Sequence, residues 1–354
     1  MSRPAPIAGS VAEELAARSR EGRFPGASWW IGGLTGVADA GAVGTATAAT
    51  PFDLASLTKP LCTALLGVLL EQDGRLDLEA SSSELLPELT GASVGRRTLL
   101  ELGSHRAGLP AWSPLSVRAR SREGMLAEIA ATSSGTPGEE LYSDLGYLLL
   151  GFAVERAGAA PLDRQFRERI AVPCGAPRIG FPGPDDRFLD AAPTERGNVY
   201  ERRLAGEAGR GAAWRETIPP GEVHDANAHA LSGVAGHAGL FGTAAAVGVL
   251  ASEILRPRHL PLGEQARARL LSPVAPGADR TFGFVLARGS AAARGVLPDA
   301  APGHTGFTGT SLWLLPEAAA ALVLLTNRVH PTVSDGDFQP VRAAFHARAL
   351  RRLP

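Results

Sequence analysis

The sequence predicts an α+β fold: an antiparallel sheet built from both ends of the chain, flanked by helices, with a mostly helical region inserted between. Three observations point to it. Strand-like runs lie at the two ends, at residues 27–33 and 37–44 and then at 282–287, 310–315 and 319–326, while helical patterns fill the middle. Residues 58–72 are apolar on nearly every face (Leu61, Leu65, Leu66, Val68, Leu69, Leu70), as befits a helix in the middle of a protein. Residues 181–222 are rich in Gly, Pro and charge with little periodicity, and read as a long irregular excursion over the surface. The expected division is a sheet domain of 1–55 with 275–354 and a helical domain of 56–274, with the site between them.

The elements follow in order. Val11–Arg20 reads as an amphipathic helix, and Gly-rich turns separate the two strands after it. Pro60 lacks an N–H and belongs in the first turn of the central helix, which Gly74 ends. Residues 98–102 form a short helix running into a loop at 104–110. Residues 145–156 and 162–170 are helical, punctuated by Gly158 and Pro161, and 243–255 is an Ala-rich helix. The strands at 310–315 and 319–326 form a hairpin around Pro316-Glu317. Residues 341–351 close the chain as a helix expected to carry its arginines on the outer face.

The 354 residues suffice for one large domain or two intimate ones, and a 45% apolar content argues against disorder. A net charge of −1 with both signs interspersed lacks the basic stripe of a nucleic-acid binder or an anionic-membrane protein. Cys62 and Cys174 make no disulfide framework, and Cys62 reads as a buried thiol inside an apolar helix. Residues 1–10 lack a charged stretch followed by an apolar one, and the longest apolar run, 61–70, is too short to span a bilayer. The expectation is a protein without a membrane span that stays in the cytoplasm as written, or is exported if a leader was trimmed.

Ser56-Leu57-Thr58-Lys59 carries the chemistry. A serine and a lysine at i, i+3 share one face at a helix start, where the helix N-terminus lends positive potential and the lysine manages the serine proton. Taken alone, the pair reads equally as a capping serine and a solvated lysine, so two later segments matter. Tyr142-Ser143-Asp144 follows Pro137-Gly138 and precedes a helix. Free tyrosine titrates at about 10. A cation such as Lys59 lowers that value, so that Tyr142 takes the serine proton and returns it to a leaving group. Gly303-His304-Thr305-Gly306-Phe307 opens a strand whose glycine-flanked edge admits a substrate backbone. The N–H groups of Phe307 and Ser56 offer an oxyanion hole.

In this order the segments resemble the serine β-lactamase and penicillin-binding protein superfamily, above all its class C β-lactamases, D-alanyl-D-alanine carboxypeptidases and related esterases. Residues 52–59 resemble the family's nucleophile segment. His105-Arg106-Ala107-Gly108-Leu109-Pro110 resembles its His-Thr-Ser-Gly-Leu-Pro turn, residues 137–151 its Pro-Gly…Tyr-Ser-Asn-Leu-Gly-Tyr segment, and residues 303–309 its third motif. The resemblance implies a β-lactamase/transpeptidase-like fold and a serine hydrolase needing no metal and no organic cofactor. Ser56 would be acylated, Lys59 and Tyr142 would share the acid/base work, and Thr305, Gly306 and Phe307 would line the substrate.

Two departures bear on substrate. Asp144 stands where the family usually has asparagine; its charge would hold Lys59 protonated. His304 stands where many members have lysine, so a carboxylate anchor there would follow histidine's titration near 6.5. Both turn the expectation from a strong β-lactamase toward hydrolysis of a small amide or ester, such as a D-amino-acid peptide from cell-wall turnover. An esterase or weak β-lactamase is the alternative. The rival from another class is a silent binder of peptidoglycan or penicillin, against which the intact Ser56, Lys59 and Tyr142 argue. The expected partner is a small molecule or short peptide.

Residues 221–229 and 233–241 gather His224, Asp225, His229 and His237, but their spacing matches no standard zinc pattern. Residues 239–243 resemble a family turn that lines the cleft, which would aim His237 and His224 at substrate. Arg328, in Thr326-Asn327-Arg328-Val329-His330-Pro331, is a candidate carboxylate anchor.

Overall fold

The computed structural model describes residues 9–353 except 34–35, 133–134, 137, 177 and 184–187. Pro137 and part of the 181–222 excursion, both invoked above, therefore lie outside the described residues.

The strands are β1 (Gly26–Gly33), β2 (Gly36–Gly44), β3 (Phe52–Asp53), β4 (Ile179–Gly180), β5 (Phe241–Gly242), β6 (Val285–Leu286), β7 (Pro302–Thr305), β8 (Ser311–Leu315) and β9 (Ala320–Thr326). Six form an antiparallel sheet in the order β2-β1-β9-β8-β7-β6, and β3-β5-β4 form a small second sheet. The two chain ends meet where β1 pairs with β9, Trp30 opposite Val323. The fold is the expected α+β arrangement.

β8 and β9 read as unbroken apolar runs because both faces of the sheet are covered. Leu322 and Leu324 pack with Trp29, Ile31, Trp313 and Phe345, beneath the helices Val11–Arg20 and Gln339–Ala349. Ala321, Val323 and Leu325 face the larger core with Trp30, Leu312 and Leu314, where the helix Ala244–Leu255 lies on β1 and β9. Ser10 and Glu13 start the first helix with a reciprocal capping box.

Three expectations need correction. The central helix is not uniform: a 3₁₀ turn at Ala55–Leu57 gives way to a π-helical stretch at Lys59–Ala64 and then α-helix over Leu65–Gln72. Pro60 donates no hydrogen bond, which loosens the ladder there. The strand at 282–287 shrinks to β6, because Phe282 turns into the core against Gly67 and Gly103, and Gly283 follows at φ +108°. The 181–222 excursion is not merely superficial. It contains the helix Val199–Ala205 and buries Glu195, Asn198 and Glu201.

One backbone crossing fixes the geometry of the site. The loop at Gly236 passes against Gly151 of the helix Asp144–Gly158; a Cβ on Gly236 would lie 2.1 Å from the Tyr147 carbonyl oxygen. Gly236→Ala should therefore cost about 1–3 kcal/mol through overpacking, and an unchanged thermal midpoint would refute this contact.

Candidate active site

The turn that carries Ser56 is tied down by its neighbours. Asp53 is buried; one oxygen accepts the Ala55 N–H at 2.8 Å and the other the His224 N–H at 2.8 Å. These bonds help Ala55 adopt φ +48°, a strained value for a residue with a side chain. Thr308 donates to the Asp53 carbonyl at 2.7 Å and Thr310 to the Leu54 carbonyl at 3.1 Å. The β7–β8 turn thus sits directly on the serine turn. Gly306 permits this approach, since a Cβ there would fall 2.1 Å from Thr310 Oγ1 and 2.7 Å from the Leu54 oxygen.

Lys59 is the centre of the site. It is 0% exposed, and its Nζ lies 2.7 Å from Asp144 Oδ1, 2.9 Å from Ser56 Oγ and 3.0 Å from the His237 carbonyl, with the Tyr142 hydroxyl also within hydrogen-bonding reach. Burial pulls the ammonium down, but Asp144 and Tyr142 more than reverse this and hold it above the ordinary lysine value. The expectation that Asp144 keeps Lys59 charged therefore agrees with the geometry. The expectation for Tyr142 does not. Burial outweighs the neighbouring Lys59 cation and holds the phenol above its ordinary value, so at neutral pH it is a proton donor.

Tyr142 and Asp144 owe their places to the 105–111 turn. His105 Nδ1 accepts the Ser143 N–H at 3.0 Å and its ring lies 4.4 Å from that of Tyr142. Burial, with Arg280 and Lys59 nearby, keeps His105 well below the ordinary histidine value, which preserves that acceptor. Ser143 caps the helix Asp144–Gly158 and donates to the Pro110 carbonyl at 2.7 Å, while Asp144 donates its N–H to the Ala111 carbonyl at 2.8 Å.

Ser56, Tyr142, Asp144, His237, His304, Thr305, Gly306, Phe307 and Arg328 all border one cavity of about 510 Å³. Lys59 lies beneath it, reaching Ser56 from below. Among the described residues, no acceptor takes the Phe307 N–H. His304 differs from its expected part. Burial, then Lys59 and Arg280, push it well below the ordinary histidine value, so it stays neutral at physiological pH and is no pH-dependent carboxylate anchor. Its Nδ1 contacts the Thr305 carbonyl at 2.9 Å.

The two histidines expected to face substrate, His224 and His237, both border the cavity, with Nε2 turned to an acid. His237 Nε2 meets Asp225 Oδ1 at 2.9 Å, and His224 Nε2 meets Glu195 Oε2 at 2.9 Å, its ring stacked on Phe307. His229 pairs with Glu222. Among the described residues no cluster of His, Cys, Asp and Glu is arranged to hold a metal ion.

Arg328 donates to the Phe307 carbonyl at 2.9 Å, its guanidinium over the Phe307 and Phe338 rings. Beside it stands Arg342, which sequence reading had placed on an outer helix face. It is 4% exposed, donates to the Gly306 carbonyl at 2.6 Å, and leaves Nε unpartnered. Burial and Arg328 both pull Arg342 down. Asp337 acts on both arginines only from a distance, and neither has a carboxylate partner among the described residues. The signal for Arg342 was present: positions 341, 342, 345, 346 and 349 share the buried face of that helix. Glu201, also on the cavity wall, had no such signal. Burial and then Asp225 push it up to about 8.

Comparison with known proteins fits this geometry. The family described as Beta-lactamase matches residues 11–345. The N-acetylmuramyl-L-alanine amidase of Bacillus subtilis (strain 168) is 30% identical over 321 residues, 82% of this chain and 71% of that protein. EstCE1, a hydrolase with promiscuous acyltransferase activity, superposes with a TM-score of 0.72 at 21% identity, covering 96% of this chain and 97% of that chain. A beta-lactamase/D-alanine carboxypeptidase from Pseudomonas syringae gives 0.72 at 18% identity, over 96% and 97% of the two chains. At such identities the two solved structures share the fold. Since the sequence match runs almost from end to end and encloses every segment that meets at Lys59, the chain belongs to the beta-lactamase family.

Proposed function

We propose that this protein is a serine hydrolase that cleaves, through an acyl-enzyme on Ser56, an amide in a small carboxylate-bearing substrate such as a D-amino-acid peptide of cell-wall origin. The observation that carries the reading is the short chain of contacts from Ser56 Oγ to Lys59 Nζ at 2.9 Å and on to Asp144 Oδ1 at 2.7 Å.

With Lys59 charged and Tyr142 a neutral phenol, neither is a free base at rest. The relay we favour therefore ends on Asp144. As Ser56 Oγ bonds to the substrate carbonyl carbon, its proton passes to Lys59 Nζ while Lys59 gives another proton to Asp144. The carbonyl oxygen takes the negative charge against the N–H groups of Ser56 and Phe307. When the C–N bond breaks, Tyr142 protonates the leaving nitrogen and recovers a proton from Asp144 through Lys59. Water then replaces the amine and the same relay runs again, releasing the acid and restoring Ser56.

Arg328 and Arg342 supply the substrate preference. Two partly or wholly buried guanidiniums without a carboxylate leave positive charge for a ligand to neutralise. The neutral His304 then offers a hydrogen-bonding edge in place of a fixed charge, which favours this class over penicillins. The amidase name of the Bacillus relative supports an amide of cell-wall origin. Thr305 and Gly306 lie at the end of β7, where a substrate backbone has an edge to follow.

Three experiments test the reading. Intact-protein mass after incubation with a fluorescent penicillin and with a fluorophosphonate should rise in the wild type and not in Ser56→Ala; no gain with either reagent in the wild type would count against hydrolysis. Asp144→Asn should lower kcat by about 100-fold or more, the range of a lost acid/base group. If lysine itself were the base, removing the charge that keeps it protonated would raise the rate near neutral pH instead. Arg342→Gln should raise KM for a carboxylate-ended amide at least about 10-fold, the loss expected of a charged hydrogen bond, and leave an amidated analogue unaffected.

A further inference from the structure

Lys59 can serve Ser56 only while its ammonium points the right way. One of its oxygen neighbours is the backbone carbonyl of His237, on a loop far from Lys59 in sequence. That loop is stitched to the nucleophile helix along its length. Thr63 donates to the Gly236 carbonyl at 2.6 Å, Leu240 donates its N–H to Thr58 Oγ1 at 3.1 Å, and Leu54 donates to the Leu240 carbonyl at 2.9 Å. These bonds hold the peptides on either side of His237. What holds His237 itself is its side chain. The ring is 1% exposed, and its Nε2–H points at Asp225 Oδ1 at 2.9 Å.

Asp225 is fixed in turn. The same Oδ1 accepts the Ala228 N–H at 2.7 Å and caps the helix Ala226–Ala230. Burial works against its charge, but His237 and the Ala228 bond outweigh this and keep Asp225 ionised. Glu201 alongside retains its proton near neutrality, so the negative charge of this pair faces His237.

We propose that Asp225 is a positioning residue for the nucleophile: through the His237 ring it fixes the carbonyl that, with Asp144, aims the Lys59 ammonium at Ser56. This rests on the serine-hydrolase reading and adds to it a residue that borders the cavity but acts on the serine through His237 and Lys59. Losing the brace frees the His237 peptide to rotate, and the ammonium follows its carbonyl away from Ser56.

The test measures the rate of Ser56 labelling by a fluorophosphonate, per folded molecule, with no dependence on the natural substrate. Asp225→Ser keeps a helix cap but is too short to reach His237. It should label at least about tenfold more slowly than wild type, with kcat falling in turnover and KM little changed. His237→Ala should be equally slow, and the double variant no slower than either, because both changes cut the same link. Asp225→Asn, which keeps an oxygen for both donors, should recover most of the rate. Labelling of Asp225→Ser or of His237→Ala at the wild-type rate would overturn the proposal, the second variant deciding if the first does not fold. Failure of the wild type itself to label at Ser56 would instead bring down the hydrolase reading, and the positioning role with it.

Discussion

A fully buried ammonium is the constraint around which this molecule is arranged. Taking a lysine charge out of water costs several kcal/mol even after the protein relaxes, and the cost is offset only by oxygens held in place around it. Lys59 collects them from three separate parts of the chain: the serine turn, the start of the helix Asp144–Gly158 and the loop at His237. No local stretch could supply all three. The fold must bring them together, and a misplaced partner would leave a desolvated charge. Under the proposed relay, a requirement for catalysis is in this way also a requirement for folding.

The surrounding architecture meets that requirement by close backbone contact rather than by long side chains. The 105–111 turn grips the Tyr142–Asp144 segment through His105, Pro110 and Ala111. Gly236 lets its loop lie on the helix backbone, and Gly306 lets the β7–β8 turn lie on the serine turn. The six-stranded sheet, whose strands β1, β8 and β9 are buried on both faces, is the fixed body to which that turn belongs. Precision within about half an ångström is what acid/base relays need, and backbone contacts deliver it because they have few alternative rotamers.

Much of this was legible in the sequence because it is local or periodic. The two-ended sheet announced itself in apolar runs such as Ala320–Thr326, and Ser56, Lys59, Tyr142 and His304 stood in short segments with a readable chemical logic. What escaped was whatever depends on the sum of distant charges and burial. Lys59 was expected to lower the Tyr142 value, yet desolvation prevails there. His304 was expected to titrate near neutrality, yet burial and the cations around it forbid it. Arg342 was placed outward by the habit that arginines face water, although its spacing from Val341 and Phe345 put it on the buried face. The π-helical turn after Ser56 and the inward course of Val199–Ala205 left no periodic trace at all.

The helix Val199–Ala205 has a consequence for how such a protein changes over evolutionary time. It walls the cavity with Tyr200, Glu201 and Leu204, yet the oxygens around Lys59 come from elsewhere. Part of the cavity wall is therefore hung on the chain as a separate segment from the residues whose oxygens surround the buried cation. Substitutions at Tyr200 and Leu204 can remodel the cavity without removing an oxygen from around the buried cation, whereas Glu201 accepts the Ala226 N–H beside Asp225 and is tied to the brace. Selection for a different cavity shape and preservation of the buried cation therefore act largely on different stretches of one gene.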